Sequence, residues 1–183
     1  MRIIAGELKG RRITPPKDNR VRPTTDKVKE AIFSMISGYL QDSVVVDLFA
    51  GTGNLGLEAI SRGAERAYFV DRDRTSIGLV RENVKYCQVE DRAVIQCAEF
   101  ASFLEKFNEK ADVIFLDPPY SAGYMESCLD IIGRRNLLCE DGIAVAEHSS
   151  RENLPEEISG LTLIKTRTYG KISVSLYERQ EAL

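Results

Sequence analysis

The sequence predicts an α/β protein built on a mixed, mostly parallel sheet, and three observations carry that prediction. From Ser43 onward, short apolar runs alternate with segments of helical periodicity. The runs are nearly continuous in Val, Ile, Leu and Phe, the pattern of strands covered on both faces. The chain then ends in two β-rich runs with no room for a helix between them, so they pair antiparallel.

Each element has a local reason. Arg2-Ile3-Ile4 and Arg11-Arg12-Ile13 flank a Gly6 to Gly10 stretch, which predicts a small basic β-hairpin over residues 2–13. Pro15-Pro16 through Arg22-Pro23 reads as an extended linker, because each proline biases its predecessor away from helix. Thr24-Thr25-Asp26 offers helix caps, and Val28, Ile32, Met35 and Ile36 share a helical face with Ala31 and Tyr39. Val44-Val45-Val46 is the first buried strand, followed by a helix over Leu55 to Arg62. Ala67 to Val70 is the second strand, with a helix over residues 75–86. Ala93-Val94-Ile95 is the third, with Phe100 to Phe107 helical. Val113 to Leu116 is the fourth, with a helix over 124–138, and Ile143 to Ala146 the fifth. Leu161 to Thr168 and Ile172 to Glu178 form the terminal hairpin around Tyr169-Gly170-Lys171, which brings the expected sheet to seven strands. Two units result: a basic hairpin and linker over 1–23, and a main domain over 24–183.

Composition narrows the function. With 183 residues the chain can bury one sizeable core, and no apolar run approaches the ~20 residues of a membrane span. The start, Met1 to Gly6, lacks the apolar stretch of a signal peptide, so a cytoplasmic location is expected, with no membrane contact. Cys87, Cys97, Cys128 and Cys139 form no Cys-x-x-Cys pair, and His148 is the only histidine. Neither a zinc site nor a disulfide framework is expected. The net charge of -3 hides an asymmetry. Residues 1–30 hold nine Lys/Arg against four acids, whereas the remainder holds 16 against 24. A basic arm on an acidic body suits one end meeting phosphates, with Arg11, Arg12 and Arg22 as RNA-binding candidates.

Two motifs carry the chemistry. Asp47-Leu48-Phe49-Ala50-Gly51-Thr52-Gly53-Asn54-Leu55-Gly56 follows the first strand and opens a helix, and Asp71 ends the second strand. Gly51, Gly53 and Gly56 allow close backbone approach to a ligand, and Asp71 can accept hydrogen bonds from ribose hydroxyls. That pattern implies an adenosine-containing cofactor without choosing between a nicotinamide dinucleotide and S-adenosylmethionine. Three details favour S-adenosylmethionine. Asp47 precedes the loop, placed for a cationic ligand end and a poor neighbour for pyrophosphate. Glu99 and Phe100 follow the third strand, suited to an adenine amine and ring face. The antiparallel hairpin does not belong to the all-parallel dinucleotide fold. A Rossmann-like class I S-adenosylmethionine-dependent methyltransferase is therefore the expected fold.

The second motif is Asp117-Pro118-Pro119-Tyr120, after the fourth strand. A nucleobase amine has two N–H donors and a lone pair delocalised into the ring. The Asp117 carboxylate and the Pro118 carbonyl supply two acceptors, while Tyr120 can stack on the base. Carbon methylation of cytosine would need a Pro-Cys nucleophile, which the chain lacks. Glu147 and His148 end the fifth strand near this site, as rim residues or participants.

These residues together resemble the RsmD family, the bacterial 16S ribosomal RNA guanine-N2 methyltransferases. The resemblance rests on Met1 to Gly6 with Lys9-Gly10-Arg11, and on Arg22-Pro23-Thr24-Thr25-Asp26 with Val28, Glu30 and Phe33. It continues through Asp47 to Gly56, Asp71, Asp117 to Tyr120 and Tyr169-Gly170. It implies transfer of a methyl group from S-adenosylmethionine to the N2 amine of one guanine, within a small-subunit particle. Asp47, Gly51, Gly53, Asp71 and Glu99 would hold the cofactor; Asp117, Pro118 and Tyr120 would hold the guanine. The family usually carries Asp at Glu99 and a small residue at Asn54. Arg22 and Thr24 could serve either RNA or cofactor. A monomer is expected. The alternatives are a DNA adenine or cytosine amino-methyltransferase, an NAD-dependent oxidoreductase, and a non-catalytic RNA-binding assembly factor.

Overall fold

A computed structural model of the chain describes residues 1–16, 24–119 and 123–180. Its strands are β1 (Val44–Asp47), β2 (Arg66–Asp71), β3 (Ala93–Cys97), β4 (Ala111–Leu116), β5 (Leu138–Ser149), β6 (Glu157–Ile158), β7 (Leu161–Tyr169) and β8 (Ile172–Arg179). They form one sheet in the order β3-β2-β1-β4-β5-β8-β7-β6. The first five are parallel; β8 runs antiparallel between β5 and β7.

The expected seven strands are eight. The extra one, β6, pairs only Glu157 with Thr162 and Ile158 with Leu161. Two residues hemmed by Pro155 and Ser159-Gly160 are too few to show periodicity. The fifth strand is longer than expected, at twelve residues, because Leu138 already pairs with Ala111. A register shift before Val113 absorbs the polar Glu140-Asp141-Gly142. The preceding helix correspondingly stops at Arg134 rather than 138.

Among the described residues, five α-helices cover the sheet: α1 (Asp26–Met35), α2 (Asn54–Ser61), α3 (Arg74–Cys87), α4 (Phe100–Lys106) and α5 (Tyr124–Arg134). The Thr25 hydroxyl caps α1 by accepting from the Val28 amide, so Thr24 is free for another role. One core holds Ile32, Phe33, Ile60, Val80, Phe115 and Val145, between the sheet and α1–α3. The other holds Val46, Leu104, Ile114, Leu129, Ala144 and Ala146, beneath α4 and α5. The two-residue period of a strand sets this division. It also puts Asp47 on the side of Val45, and Glu147 on the side of Val145, facing α1 and α2.

The expected N-terminal hairpin is short: Arg2 and Arg12 form an antiparallel bridge, and the Ile3, Gly10 and Ile13 amides donate to the Arg11, Ile3 and Met1 carbonyls at 2.9, 2.9 and 3.2 Å. Side-chain anchors add to this pairing in holding residues 1–16, and the Glu7 amide donates to the Ser61 carbonyl at 2.8 Å. Ile3 and Ile13 are buried in the first core. The Ile4 and Ala5 amides donate to the Glu58 carboxylate at 2.8 and 3.0 Å, and the Leu8 amide donates to Ser61 Oγ at 2.9 Å. Glu58 also meets Lys29 Nζ at 3.1 Å, both side chains fully buried. Lys29 donates further to Asn54 Oδ1 at 2.8 Å and to the Arg2 carbonyl. Burial pushes the Lys29 pKa down despite Glu58.

Candidate active site at the carboxyl ends of the parallel strands

A cleft of about 880 Å³ opens above β1, β2 and β4. Its walls include Asp47, Gly51, Asp71, Glu99, Phe100, Asp117 and Pro118. Ligands bind at the carboxyl ends of strands where the strand order reverses, and here the reversal lies between β1 and β4.

The glycine loop shapes one wall. The Gly51 amide donates to Asp71 Oδ2 at 3.0 Å, which fixes the loop to the end of β2. Asp71 Oδ1 accepts from the Asp73 amide at 2.9 Å. Each carboxylate oxygen retains a lone pair for a ligand hydroxyl. Gly53 caps α2 in the left-handed region (φ 83°). Gly56 acts differently from the other two. A Cβ there would sit 2.3 Å from the Phe69 ring, so this glycine lets α2 close onto β2. We predict that Gly56→Ala costs about 1–3 kcal/mol of stability, as overpacked cores do, measured by urea unfolding.

Asp47 is 2% exposed and accepts from the Gly56 amide at 2.9 Å. Burial, and then Asp71, push its pKa up to about 7, against the lowering effect of the Gly56 amide. The unfolded chain releases this proton near pH 4, whereas the folded protein keeps it to about pH 7. Stability therefore falls as pH rises through that window. Urea midpoints at pH 5 and 7.5 should show the fall for the cofactor-free protein. Asp47→Asn should lessen it.

Asp117 lies half-buried just past β4. Burial, then Glu147 and Asp47, hold its carboxyl well above the usual carboxylate range; the Thr24 hydroxyl, hydrogen-bonded to it, acts in the other direction. Thr24 Oγ1 also donates to Glu147 Oε2 at 3.0 Å. Leu116 pairs with Ala146, so the register carried one step on sets Asp117 beside Glu147. Three acids from neighbouring strands thus stand on one face at one sheet edge.

The remaining predicted residues fall in different places. Phe100 joins Phe49 and Tyr124 in an aromatic cluster, with ring centroids 5.6 and 5.0 Å away. Glu99 lines the cleft with its side chain 59% exposed and Arg72 at 3.7 Å. Arg11 donates to the carbonyls of Tyr86 and Cys87 at the end of α3, at 3.2 and 3.0 Å. Arg12 is exposed beside a smaller hollow lined by Met1, Arg2 and Thr24 to Asp26. Met1 and Thr24 line the main cleft as well. Tyr120 and Arg22 lie outside the described residues. His148 is turned to the other layer, buried, with Nε2 2.9 Å from Ser175 Oγ.

Several wall residues were not singled out from the sequence. Phe49 sits inside the glycine-loop motif, where an aromatic between Asp47 and Gly51 was the available signal. Tyr124 is separated from Phe100 by 24 positions, and no local pattern announces their contact. Asn83 bonds Thr14 from one side and the Thr52 carbonyl from the other, joining the N-terminal segment to the glycine loop.

The family model described as "Conserved hypothetical protein 95" matches residues 1–178. The chain belongs to this family. A Bacillus subtilis member, provisionally named an rRNA methyltransferase (YlbH), is 39% identical over 98% of this chain and 100% of its own length. "Ribosomal RNA small subunit methyltransferase D" of Haemophilus influenzae is 33% identical, over 97% of this chain and 93% of that protein. Among solved structures, a provisionally named Escherichia coli methyltransferase (yhhF) superposes with a TM-score of 0.88 at 28% identity, covering 98% of both chains. The fold is thus the α/β methyltransferase fold, as the RsmD resemblance implied. No described helix is long and apolar enough to cross a membrane.

Proposed function

We propose that this protein transfers a methyl group from S-adenosylmethionine to the exocyclic N2 amine of a guanine in small-subunit ribosomal RNA. The carrying observation is that the Asp117 corner and the glycine loop share one cleft. The rRNA methyltransferase names of the family relatives support the reaction class and the substrate.

The donor set fits S-adenosylmethionine. Asp47 is a buried acid that a cationic ligand end would satisfy, and Asp71 has acceptor capacity for ribose hydroxyls. Phe100 and Phe49 offer apolar ring faces for adenine. A pyrophosphate would instead meet Asp47, Asp71 and Asp117 in the same cleft, which argues against NAD.

S-adenosylmethionine supplies an electrophilic methyl group on a sulfonium. The protein's part is alignment and proton acceptance. Asp117 and the Pro118 carbonyl accept the two N–H bonds of the amine, fixing its plane. Pro118 has no N–H and a fixed φ, so its carbonyl is presented rigidly. Repulsion among Asp47, Asp117 and Glu147 is offset when the cleft holds a cation, and Asp117 then returns to its carboxylate. It is then ready to accept the proton the methylated amine releases. A base stacked in RNA must be unstacked to reach this corner.

The basic N-terminal region, with Arg11, Arg12 and Arg22, would meet RNA phosphates. Neutralising Arg12 should flatten the salt dependence of RNA binding by about one charge. Neutralising Arg11 should also loosen the end of α3, since its guanidinium is bonded there. Binding measured across a salt series checks both.

The function itself is tested by offering labelled S-adenosylmethionine with purified small subunits, ribosomal RNA and DNA. Label in small-subunit RNA is expected; label in DNA alone would overturn the proposal.

A further inference from the structure

Asn54 begins α2, lines the cleft and is only 9% exposed. Its side-chain amide has two ends, an oxygen that accepts and a nitrogen that donates. Lys29 fixes which end faces where. Three acceptors surround the buried Lys29 Nζ: Asn54 Oδ1 at 2.8 Å, Glu58 Oε2 at 3.1 Å and the Arg2 carbonyl. Satisfying all three takes the three protons of an ammonium, and an ammonium can only donate. The Asn54 oxygen is therefore held toward Lys29, and the amide nitrogen is turned away from it. Among the described residues nothing accepts from Asn54 Nδ2, and no buried side-chain nitrogen or oxygen is left without a partner. The nitrogen therefore reaches open space, and the open space that Asn54 lines is the cleft.

A donor at this place answers a problem of charge. The described lining residues include five acids, Asp47, Asp71, Asp73, Glu99 and Asp117. Their one basic side chain is Arg72, which lies 3.7 Å from Glu99. The amino-acid end of S-adenosylmethionine carries an ammonium and a carboxylate on one carbon. Asp47 suits the ammonium, but the carboxylate needs a donor close by. Asp47 reaches the first turn of α2 through the Gly56 amide at 2.9 Å, the same turn that Asn54 opens. No side chain caps that turn, so its positive partial charge is also left for a ligand.

We propose, resting on the S-adenosylmethionine reading above, that Asn54 is a cofactor-binding residue whose amide nitrogen donates to the carboxylate of the amino-acid end. Lys29 is its positioning residue: it touches no ligand and holds the amide with the donor outward. The two residues thereby set a preference for a ligand that carries a carboxylate over one that lacks it. The adenosine and sulfonium parts meet other walls of the cleft, so the effect of Asn54 is confined to the carboxylate. A residue that merely tied α1 to α2 would instead affect every ligand of the cleft alike.

The test is calorimetric titration of the cofactor-free full chain with S-adenosylmethionine and with its decarboxylated form, which keeps the adenosine, the sulfonium and the ammonium. Asn54→Ala should weaken S-adenosylmethionine about tenfold, as loss of a hydrogen bond to a charged group does, and leave the decarboxylated form within about twofold. Asn54→Asp should separate the two ligands further. Its outward oxygen would repel the carboxylate and attract the ammonium, so it should bind the decarboxylated form more tightly than the wild type does. Asn54→Asp also keeps an acceptor for Lys29, so it reads the contact even where Asn54→Ala loosens the fold. Equal losses for both ligands would reduce Asn54 to a structural tie, and undiminished affinity for S-adenosylmethionine in both variants would remove the contact. Either result overturns the proposal and leaves the proposed function standing. If the wild-type protein binds neither ligand, the S-adenosylmethionine reading itself fails, and the role of Asn54 fails with it.

Discussion

Asp117→Ala is expected to cut methyl transfer by at least about 10²-fold while cofactor affinity stays within a few-fold of wild type. The substitution removes the carboxylate acceptor for the amine and the group that takes the released proton. The cofactor half of the cleft is built from Gly51, Asp71 and Phe100 and does not depend on it. Loss of one of three crowded acids also relieves repulsion on Asp47 and Glu147, so the variant should fold at least as well. Single-turnover transfer to small subunits and calorimetric titration with S-adenosylmethionine separate the two halves. Undiminished turnover would remove Asp117 from the chemistry. A parallel collapse of cofactor binding would mean that it holds the wrong ligand.

Glu58→Ala should be the most destabilising single change outside the cleft, at about 3–5 kcal/mol. It strands the fully buried Lys29 ammonium and leaves the Ile4 and Ala5 amides without their acceptor. It also removes the partner of Arg62, whose Nε lies 2.9 Å from Glu58. For a chain of this size the loss corresponds to a Tm drop of roughly 10 °C. Local consequences should precede global unfolding. Hydrogen exchange should accelerate first at Ile4, Ala5 and Leu8, the amides anchored on α2. A melting temperature within a degree of wild type would show that the other anchors of the N-terminal segment, among them Leu8 on Ser61 and Thr14 on Asn83, hold it without Glu58.

The sequence made some of this legible and hid the rest for physical reasons. The parallel strands were readable because burial on both faces leaves an unbroken apolar run, as in Val44 to Val46 and Val113 to Leu116. The glycine loop was readable because ligand approach and helix packing restrict residue type at fixed spacing; Gly56 against Phe69 is the packing half of that rule. The two-residue β6 was not readable, since its pairing is set by the neighbouring β7 rather than by its own pattern. The docking of residues 1–16 was also hidden. Its basic residues read as an arm suited to phosphates, while the anchoring acceptor, Glu58, is more than fifty positions away. The Thr24–Glu147 contact spans 123 positions, and only the fold brings it together with Asp117. Charge composition described the chain's surface; it said nothing about which charges the fold would bury.

The most direct measurement is mass-spectrometric mapping of small-subunit ribosomal RNA from cells lacking this protein. The account predicts one guanine that has lost a single N2 methyl group, regained when the wild-type protein is supplied and not when Asp117→Ala is. A full complement of methyl groups in the deletion strain, or restoration by Asp117→Ala, would contradict it.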